Sequence, residues 1–286
     1  MYKIGIIGIG VLGNAIKETF ENFKKDDIEK GVGVKLGLGL DIKCYDRYKN
    51  IGSGIYELLD TDMVFLCLPT LFNSQIGEYD KQEIYNVCSE LEHLKYSGIV
   101  ILKSTVEPQT TKELSRKYKS LKLVHNPEFL TARTATADFI NQKHIILGFL
   151  DEYHECNGIN IIQYLEVFFK KYFPLAKISI CSTDESECVK IFCNSFYATK
   201  IQFFTEIKLL CDRMGVEYNS IRDLMLLNDW INPMHTVVPG SDGQISFGGM
   251  CFPKDIKALN EVMKKNNVSN GVLEAVIKER EIMRKD

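Results

Sequence analysis

Up to Thr183 the chain alternates between short apolar runs and segments whose apolar residues recur at helical spacing; beyond it the short runs stop. The strand-like runs fall at 3–8, 41–45, 63–68, 99–102, 121–125, 143–148 and 176–181. Runs such as Phe65-Leu66-Cys67-Leu68 are apolar throughout, as expected of strands covered on both faces of a parallel sheet. From Asp184 to Met214, Val189, Phe192, Phe196, Phe203, Ile207 and Leu210 keep the three-or-four spacing of one long amphipathic helix. Shorter helical patterns follow at 217–227, 254–265 and 271–284. The pattern predicts an α/β fold: a mostly parallel, doubly wound sheet over residues 1–182, then an all-helical domain over 183–286, entered through the long connecting helix. The polar, Gly-rich stretch from Lys24 to Leu40 reads as an extended loop between the first helix and the second strand.

The first strand leads directly into candidate chemistry. Lys3-Ile4-Gly5-Ile6-Ile7 runs into Gly8-Ile9-Gly10-Val11-Leu12-Gly13 and then a helix, the strand-turn-helix context of a dinucleotide site. Gly8 permits the tight turn, Gly10 lets backbone approach a pyrophosphate, and Gly13 lets helix and strand pack closely. The helix start at Val11 and Leu12 directs its dipole at the phosphates. The second strand, Asp41-Ile42-Lys43-Cys44-Tyr45, ends in Asp46, which would accept from ribose hydroxyls and repel a 2′-phosphate, favouring NAD over NADP. Arg47 beside it is a residue type that accommodates the extra phosphate, so NADP stays open at this point. The sheet is thus expected to be Rossmann-type.

Composition narrows the class. The 286 residues, 45% hydrophobic and 26% charged, suffice for two domains with a sizeable core. A formal charge of −3 gives no electrostatic footprint for nucleic acid, and Lys24-Lys25 and Lys264-Lys265 read as solvated helix faces. Nine cysteines without a Cys-x-x-Cys pair speak against a disulfide framework and a zinc site; no metal is expected, and a reducing compartment, the cytoplasm, is. No apolar stretch approaches a membrane span, and the first strand starts too early to leave room for a secretory signal.

Open parallel sheets bind ligands beyond the carboxyl ends of their strands. Three such tips carry polar residues: Leu68-Pro69-Thr70, Lys103-Ser104-Thr105-Val106 and His125-Asn126-Pro127-Glu128. Taken singly, Thr105 is equally a turn hydroxyl and Glu128 a helix cap or solvated carboxylate. His125, at the end of an apolar run, reads as a structural imidazole. Lys190 and Asn194 lie four apart on one face of the long helix, where ammonium and amide can donate to one developing oxyanion. Alone they are also an ordinary exposed lysine and surface amide. Phe247-Gly248-Gly249-Met250-Cys251-Phe252-Pro253-Lys254-Asp255 sets a cysteine between a glycine pair and a Pro-marked helix start, which stabilises a thiolate. By itself Cys251 is also readable as a packing thiol beside a turn.

In this order, the glycine fingerprint, Lys103-Ser104-Thr105-Val106, Asn126-Pro127-Glu128-Phe129-Leu130, Lys190 with Asn194, and the block from Phe247 to Asp255 resemble the UDP-glucose/GDP-mannose dehydrogenase family. The similarity runs from residue 1 to roughly residue 265, and the cysteine block is highly specific to that family. It implies the family's NAD domain and central helical domain, and oxidation of the C6 alcohol of a nucleotide sugar to a carboxylate with two molecules of NAD. Carried to matching positions, it implies that Thr105 and Asp255 hold the water that takes the alcohol proton and that Cys251 forms a thiohemiacetal and then a thioester. Lys190 and Asn194 would stabilise the oxyanions and Glu128 would activate the hydrolytic water. Pro69, Thr70, Ser104 and Thr105 would join the glycine loop and Asp46 around NAD. Phe129, Leu130, Phe247, Gly248 and Gly249 would contact the sugar nucleotide beside Glu128, Lys190 and Asn194. UDP-glucose is the leading substrate, and a homodimer through the long helix is the expected assembly, without nucleic-acid or membrane partners.

The chain departs from the family pattern in three places. Ala132, in Thr131-Ala132-Arg133, stands where a second glutamate is usual. Ile231-Asn232-Pro233-Met234-His235-Thr236 stands where an Arg-Ile-Gly step usually helps to hold the sugar nucleotide across a subunit contact. The sequence stops at Asp286, where the family continues into a third domain that binds much of the nucleotide. Two other readings stay open. A short β-hydroxyacid dehydrogenase shares the length, the dinucleotide domain and a lysine-asparagine helix pair, but gives Cys251 no role; a catalytically inactive NAD-binding relative is suggested by Ala132 and the third-domain difference.

Overall fold

A computed structural model describes residues 1–29, 39–150, 155–156 and 159–285. The strands in chain order are β1 (Tyr2–Ile7), β2 (Leu40–Tyr45), β3 (Met63–Leu66), β4 (Phe72–Asn73), β5 (Glu78–Tyr79), β6 (Ile99–Leu102), β7 (Lys122–His125), β8 (His144–Phe149), β9 (Glu155–Cys156), β10 (Ile159–Asn160) and β11 (Lys177–Ser182). The helices are α1 (Val11–Glu29), α2 (Gln82–His93), α3 (Thr110–Lys117), α4 (Ala135–Ile140), α5 (Ile161–Tyr172), α6 (Thr183–Met214), α7 (Tyr218–Leu226), α8 (Phe252–Lys265) and α9 (Gly271–Met283). The chain divides into two compact units: Met1–Thr70 with Asp80–Lys190, and Leu71–Tyr79 with Ile191–Asp286.

The first unit is built on a seven-stranded sheet in the order β11-β8-β7-β6-β3-β1-β2. Its pairs are parallel except that β8 meets β7 antiparallel, through His125 and Gly148. The period of two along each strand sorts the core. Ile4, Ile6, Met63, Phe65, Ile99 and Ile101 face α1, α4 and α5, whereas Val64, Leu66, Val100 and Leu102 face α2 and α3. Because both faces are covered, β3 and β6 are buried throughout, which explains their unbroken apolar runs. Phe20 of α1 is fully buried between the rings of Phe168 and Tyr172, at centroid distances of 5.7 and 5.6 Å, and such a burial contributes about 2–3 kcal/mol. The sheet order reverses at β1, whose neighbours β2 and β3 lie on opposite sides, and that is the switch point where such sheets bind ligands.

One sequence expectation is corrected. Helix α1 runs on to Glu29, so residues 24–29 continue the helix that the polarity of the segment suggested had ended. Lys and Glu are good helix formers, and no glycine or proline interrupts the chain between Gly13 and Gly31. The remainder of the expected loop, 30–38, lies outside the described residues.

The second unit is helical apart from the hairpin β4–β5, which the sequence places between the third sheet strand and α2. Its core is a series of small clusters. Tyr79 packs with Ile191, Ala258 and Leu259; Phe247 with Ala198, Ile256 and Val276; Phe204 with Cys211, Tyr218 and Val238. Helix α6 enters this unit at Ile191 and leaves Phe192, Phe196, Phe203 and Leu210 exposed. No described helix is long and apolar enough to cross a membrane.

Candidate active site

In the first unit, the turn after β1 is shaped by backbone crowding. Gly8 has φ +89°, and a Cβ there would lie 2.6 Å from the Cys67 carbonyl oxygen; a Cβ on Gly13 would lie 1.9 Å from the Gly8 carbonyl oxygen. Gly10 differs: a Cβ there would meet nothing within 4 Å, so open space lies over the loop where α1 begins. The first turn of α1, from Val11, presents the N–H groups that every helix start leaves without intrahelical acceptors.

Asp46 holds this loop in place. Its carboxylate accepts from the Ile9 N–H at 2.8 Å and from the Tyr48 and Lys49 N–H groups at 3.0 and 3.1 Å. The Lys49 ammonium in turn donates to the Ile9 carbonyl at 2.6 Å, so the Ile9 peptide is gripped on both sides. A carboxylate has about four acceptor positions, leaving capacity for a ribose hydroxyl. A cavity lined by Ile7, Gly8, Asp46, Arg47, Pro69 and Val87, with Glu83 and Glu90 also on its wall, opens at this switch point, and its apolar surfaces and the Asp46 carboxylate suit the adenosine half of a dinucleotide. The residues present therefore fit the cofactor expected from the sequence.

The neighbouring strand tips are tied to one another. Ser104 Oγ accepts from the Leu68 N–H at 3.1 Å and donates to the Leu68 carbonyl at 2.8 Å, and Thr70 donates to the Thr105 carbonyl at 2.7 Å. Thr105 itself is half-buried. Lys103 is buried, donates to Asn126 Oδ1 at 2.8 Å, and is pushed down to about 8 by that burial. His125 is buried against Ser186 at 2.7 Å and is pushed down to about 3, neutral throughout the physiological range.

Lys190, on α6, is 3% exposed and lies 3.2 Å from Glu128 Oε1 and 5.2 Å from the centre of the Phe129 ring. The other Glu128 oxygen accepts from the Leu130 N–H at 2.7 Å. Thus three residues singled out in the sequence, Glu128, Phe129 and Lys190, meet. Glu187, three residues before Lys190, is fully buried and accepts from the Gln109 N–H, the Thr111 N–H and the Thr111 hydroxyl at 2.7, 2.8 and 2.6 Å. It thereby anchors the start of α3 to α6, while burial raises its carboxyl to about 7.

The second unit carries the thiol. Cys251 occupies the N-cap of α8, its carbonyl accepting from the Asp255 N–H at 3.0 Å, with Pro253 in the first turn. Among the eight cysteines whose exposure is described, Cys251 alone is exposed. Burial pushes the thiols of Cys67 and Cys88 up to about 12, as packing residues, whereas the Cys251 thiol is accessible. Phe247 is buried, Gly248 abuts the Arg284 guanidinium, and Gly249 has φ +75°. Asp255, four residues beyond the cysteine, is fully buried and accepts from Asn194 Nδ2 at 2.6 Å. That amide is thus committed in part to the carboxylate.

Several residues were not singled out from the sequence. Tyr79 and Lys254 both donate to Asp255, each at 2.5 Å. Arg284 pairs with Asp242 at 2.6 Å, and Arg280 donates to the Phe247 carbonyl at 3.2 Å. Lys254 sits beside Asp255 in the Pro-Lys-Asp step and was findable there; Tyr79 carried no signal. Ala132 lies exposed in the short 3-10 turn Ala132–Thr134. His235 packs tilted against Tyr197 and edge-to-face with Phe252, at centroid distances of 5.0 and 5.5 Å, and burial beside Lys200 lowers its pKa.

Residues 47–167 match the UDP-glucose/GDP-mannose dehydrogenase family, NAD binding domain, and residues 184–280 match the same family's central domain. A UDP-glucose 6-dehydrogenase of Rickettsia bellii is 32% identical over 78% of this chain and 50% of its own length. The chain spans about half the length of the curated relatives it matches. Among solved structures, a UDP-glucose dehydrogenase from Pyrobaculum islandicum superposes with a TM-score of 0.78 at 22% identity, over 99% of this chain and 68% of that one. A 3-hydroxyisobutyrate dehydrogenase from Mycobacterium tuberculosis superposes with a TM-score of 0.68 at 14% identity, over 97% of this chain and 92% of that one. At these identities the structural likenesses establish the fold.

Proposed function

The chain belongs to the UDP-glucose/GDP-mannose dehydrogenase family, and from that membership we propose that it oxidises the C6 alcohol of a nucleotide sugar to the uronic acid with NAD as cofactor. UDP-glucose is the substrate we favour, because curated relatives carry the name UDP-glucose 6-dehydrogenase. The observation that carries the reading is the exposed Cys251 at the start of α8, one turn before the buried Asp255–Asn194 pair.

The glycine loop, Asp46, Pro69, Thr70, Ser104 and Thr105 are assigned to holding NAD, which supplies the hydride acceptor for each of two oxidations. Thr105 and Asp255 are assigned to the water that takes the alcohol proton. The Cys251 thiolate adds to the aldehyde carbonyl carbon, giving a thiohemiacetal, and loss of hydride from that carbon leaves a thioester. Lys190 and Asn194 stabilise the oxyanions, and Glu128 deprotonates the water that cleaves the thioester, releasing acid and thiol. Phe129, Leu130, Phe247, Gly248 and Gly249 are assigned to the sugar nucleotide. Covalent capture explains how one site performs two oxidations without releasing the aldehyde.

A homodimer through α6 accompanies this reading: Phe196, Phe203 and Leu210 recur at heptad spacing and remain exposed on the 32-residue helix, a stripe suited to a second copy. Free cysteines are consistent with a reducing compartment, for which the cytoplasm is our assignment.

A second reading, the short β-hydroxyacid dehydrogenase, is favoured by the near-complete mutual coverage with the Mycobacterium tuberculosis enzyme. A third, an inactive relative, follows from Ala132. A panel of sugar nucleotides and 3-hydroxy acids incubated with NAD separates them. Two NADH per acid formed from a nucleotide sugar supports the family reading; one NADH per 3-hydroxy acid supports the second, and binding without turnover the third.

A further inference from the structure

Asp255 has no exposed surface, and its carboxylate is shared by three elements of the second unit. Oδ1 accepts from the Tyr79 hydroxyl of β5 and the Lys254 ammonium of α8, each at 2.5 Å; Oδ2 accepts from the Asn194 amide of α6 at 2.6 Å. Lys254 also lies 4.5 Å from the centre of the Tyr79 ring, so cation, ring and carboxylate form one cluster. Tyr79 is 1% exposed and packs on Ile191, Ala258 and Leu259, although 176 positions separate it from Asp255.

A two-residue strand such as β5 adds little stability of its own. What the hairpin delivers is a phenolic donor to a buried carboxylate, a charge-assisted hydrogen bond roughly twice as strong as a neutral one. We propose that Tyr79 is a positioning residue for the reaction: its hydroxyl, donated to Oδ1, fixes the rotamer of Asp255. The proposal rests on the role assigned above to Asp255. The groups facing the carboxylate are Tyr79 from β5, the neutral Asn194 from α6 and Lys254 from α8, while Lys190, one turn earlier on α6, is engaged by Glu128.

Tyr79→Phe keeps the packed ring and removes the hydroxyl, and two readouts test it. With the nucleotide sugar that the wild type oxidises, kcat falls roughly ten- to a hundredfold while KM moves less than about twofold. Independently of substrate, the drop in melting midpoint caused by Tyr79→Phe is smaller in an Asp255→Asn background than in the wild type, because the two substitutions remove one shared hydrogen bond. An unchanged kcat, a loss carried by KM instead, or an equal drop in both backgrounds overturns the proposal. An inactive wild type with unequal drops sinks the oxidation reading and keeps the Tyr79–Asp255 coupling; an active wild type with equal drops does the reverse.

Discussion

The two glycine-bearing loops of this protein meet opposite requirements. The loop from Gly8 to Gly13 is fixed by its own backbone: added Cβ atoms at either end would strike carbonyl oxygens, and Asp46 and Lys49 grip the peptide between them. The loop from Phe247 to Cys251 is braced from outside. Arg284 fills the space beside Gly248, Arg280 donates to the Phe247 carbonyl, and Ser246 is held by Thr205 and Gln202 at 3.0 and 2.6 Å. The difference follows from what each presents. In the proposed function the first loop offers main-chain N–H groups to phosphate and needs only its shape, whereas the second must leave Cys251 exposed as a nucleophile and so draws its rigidity from neighbouring elements.

Substitutions can break this comparison at either end. The largest effect is expected from Cys251→Ser, which should lower acid formation at least about a thousandfold while NAD affinity by calorimetry stays unchanged. Next comes Gly13→Ala. With its Cβ placed 1.9 Å from the Gly8 carbonyl oxygen, it should weaken NAD binding more than about a hundredfold, and overpacking should cost roughly 3 kcal/mol in denaturant unfolding. Gly10→Ala sharpens the contrast, since nothing lies within 4 Å of the new methyl: the melting midpoint should hold while NAD affinity falls roughly tenfold.

Much of the fold was legible because it rests on local periodicity. The observed sheet strands fall within a residue or two of the apolar runs, and α6 spans Thr183–Met214 where the spacing predicted a helix from Asp184. Glu128, Phe129 and Lys190 were each singled out, and they meet. The hairpin β4–β5 was not legible: two-residue strands carry no period, and the partner of Tyr79 lies in α8. Nor was the grip of Asp46 on Ile9, because a strand-end acid reads only as a ribose acceptor until its backbone partners are known. Arg284 was invisible for a related reason, as a charged residue in a helical pattern reads as solvated although it is 8% exposed.

Smaller effects probe the braces. Arg284→Ala should leave NAD affinity untouched and lower kcat roughly tenfold through a loosened thiol loop, with a stability loss on the order of 2 kcal/mol by urea unfolding. The smallest is a pH dependence in the first unit. Burial lifts the Glu187 carboxyl from 4.5 to about 7, so between these values the folded protein holds a proton that the unfolded chain has released. Stability should therefore fall as pH rises from about 5 to about 7, by a few kcal/mol at most, and Glu187→Gln should flatten that slope in thermal unfolding.

The central claim is that the nucleotide sugar passes through a covalent bond to Cys251. Intact-mass spectrometry of Glu128→Gln, mixed with the nucleotide sugar that the wild type oxidises and excess NAD, tests it most directly. The account predicts that a hexuronyl adduct accumulates and maps by peptide analysis to Cys251, because thioester hydrolysis has lost its base. A protein that completes both oxidations at the wild-type rate with Cys251 replaced by serine, and never carries an adduct, would contradict it.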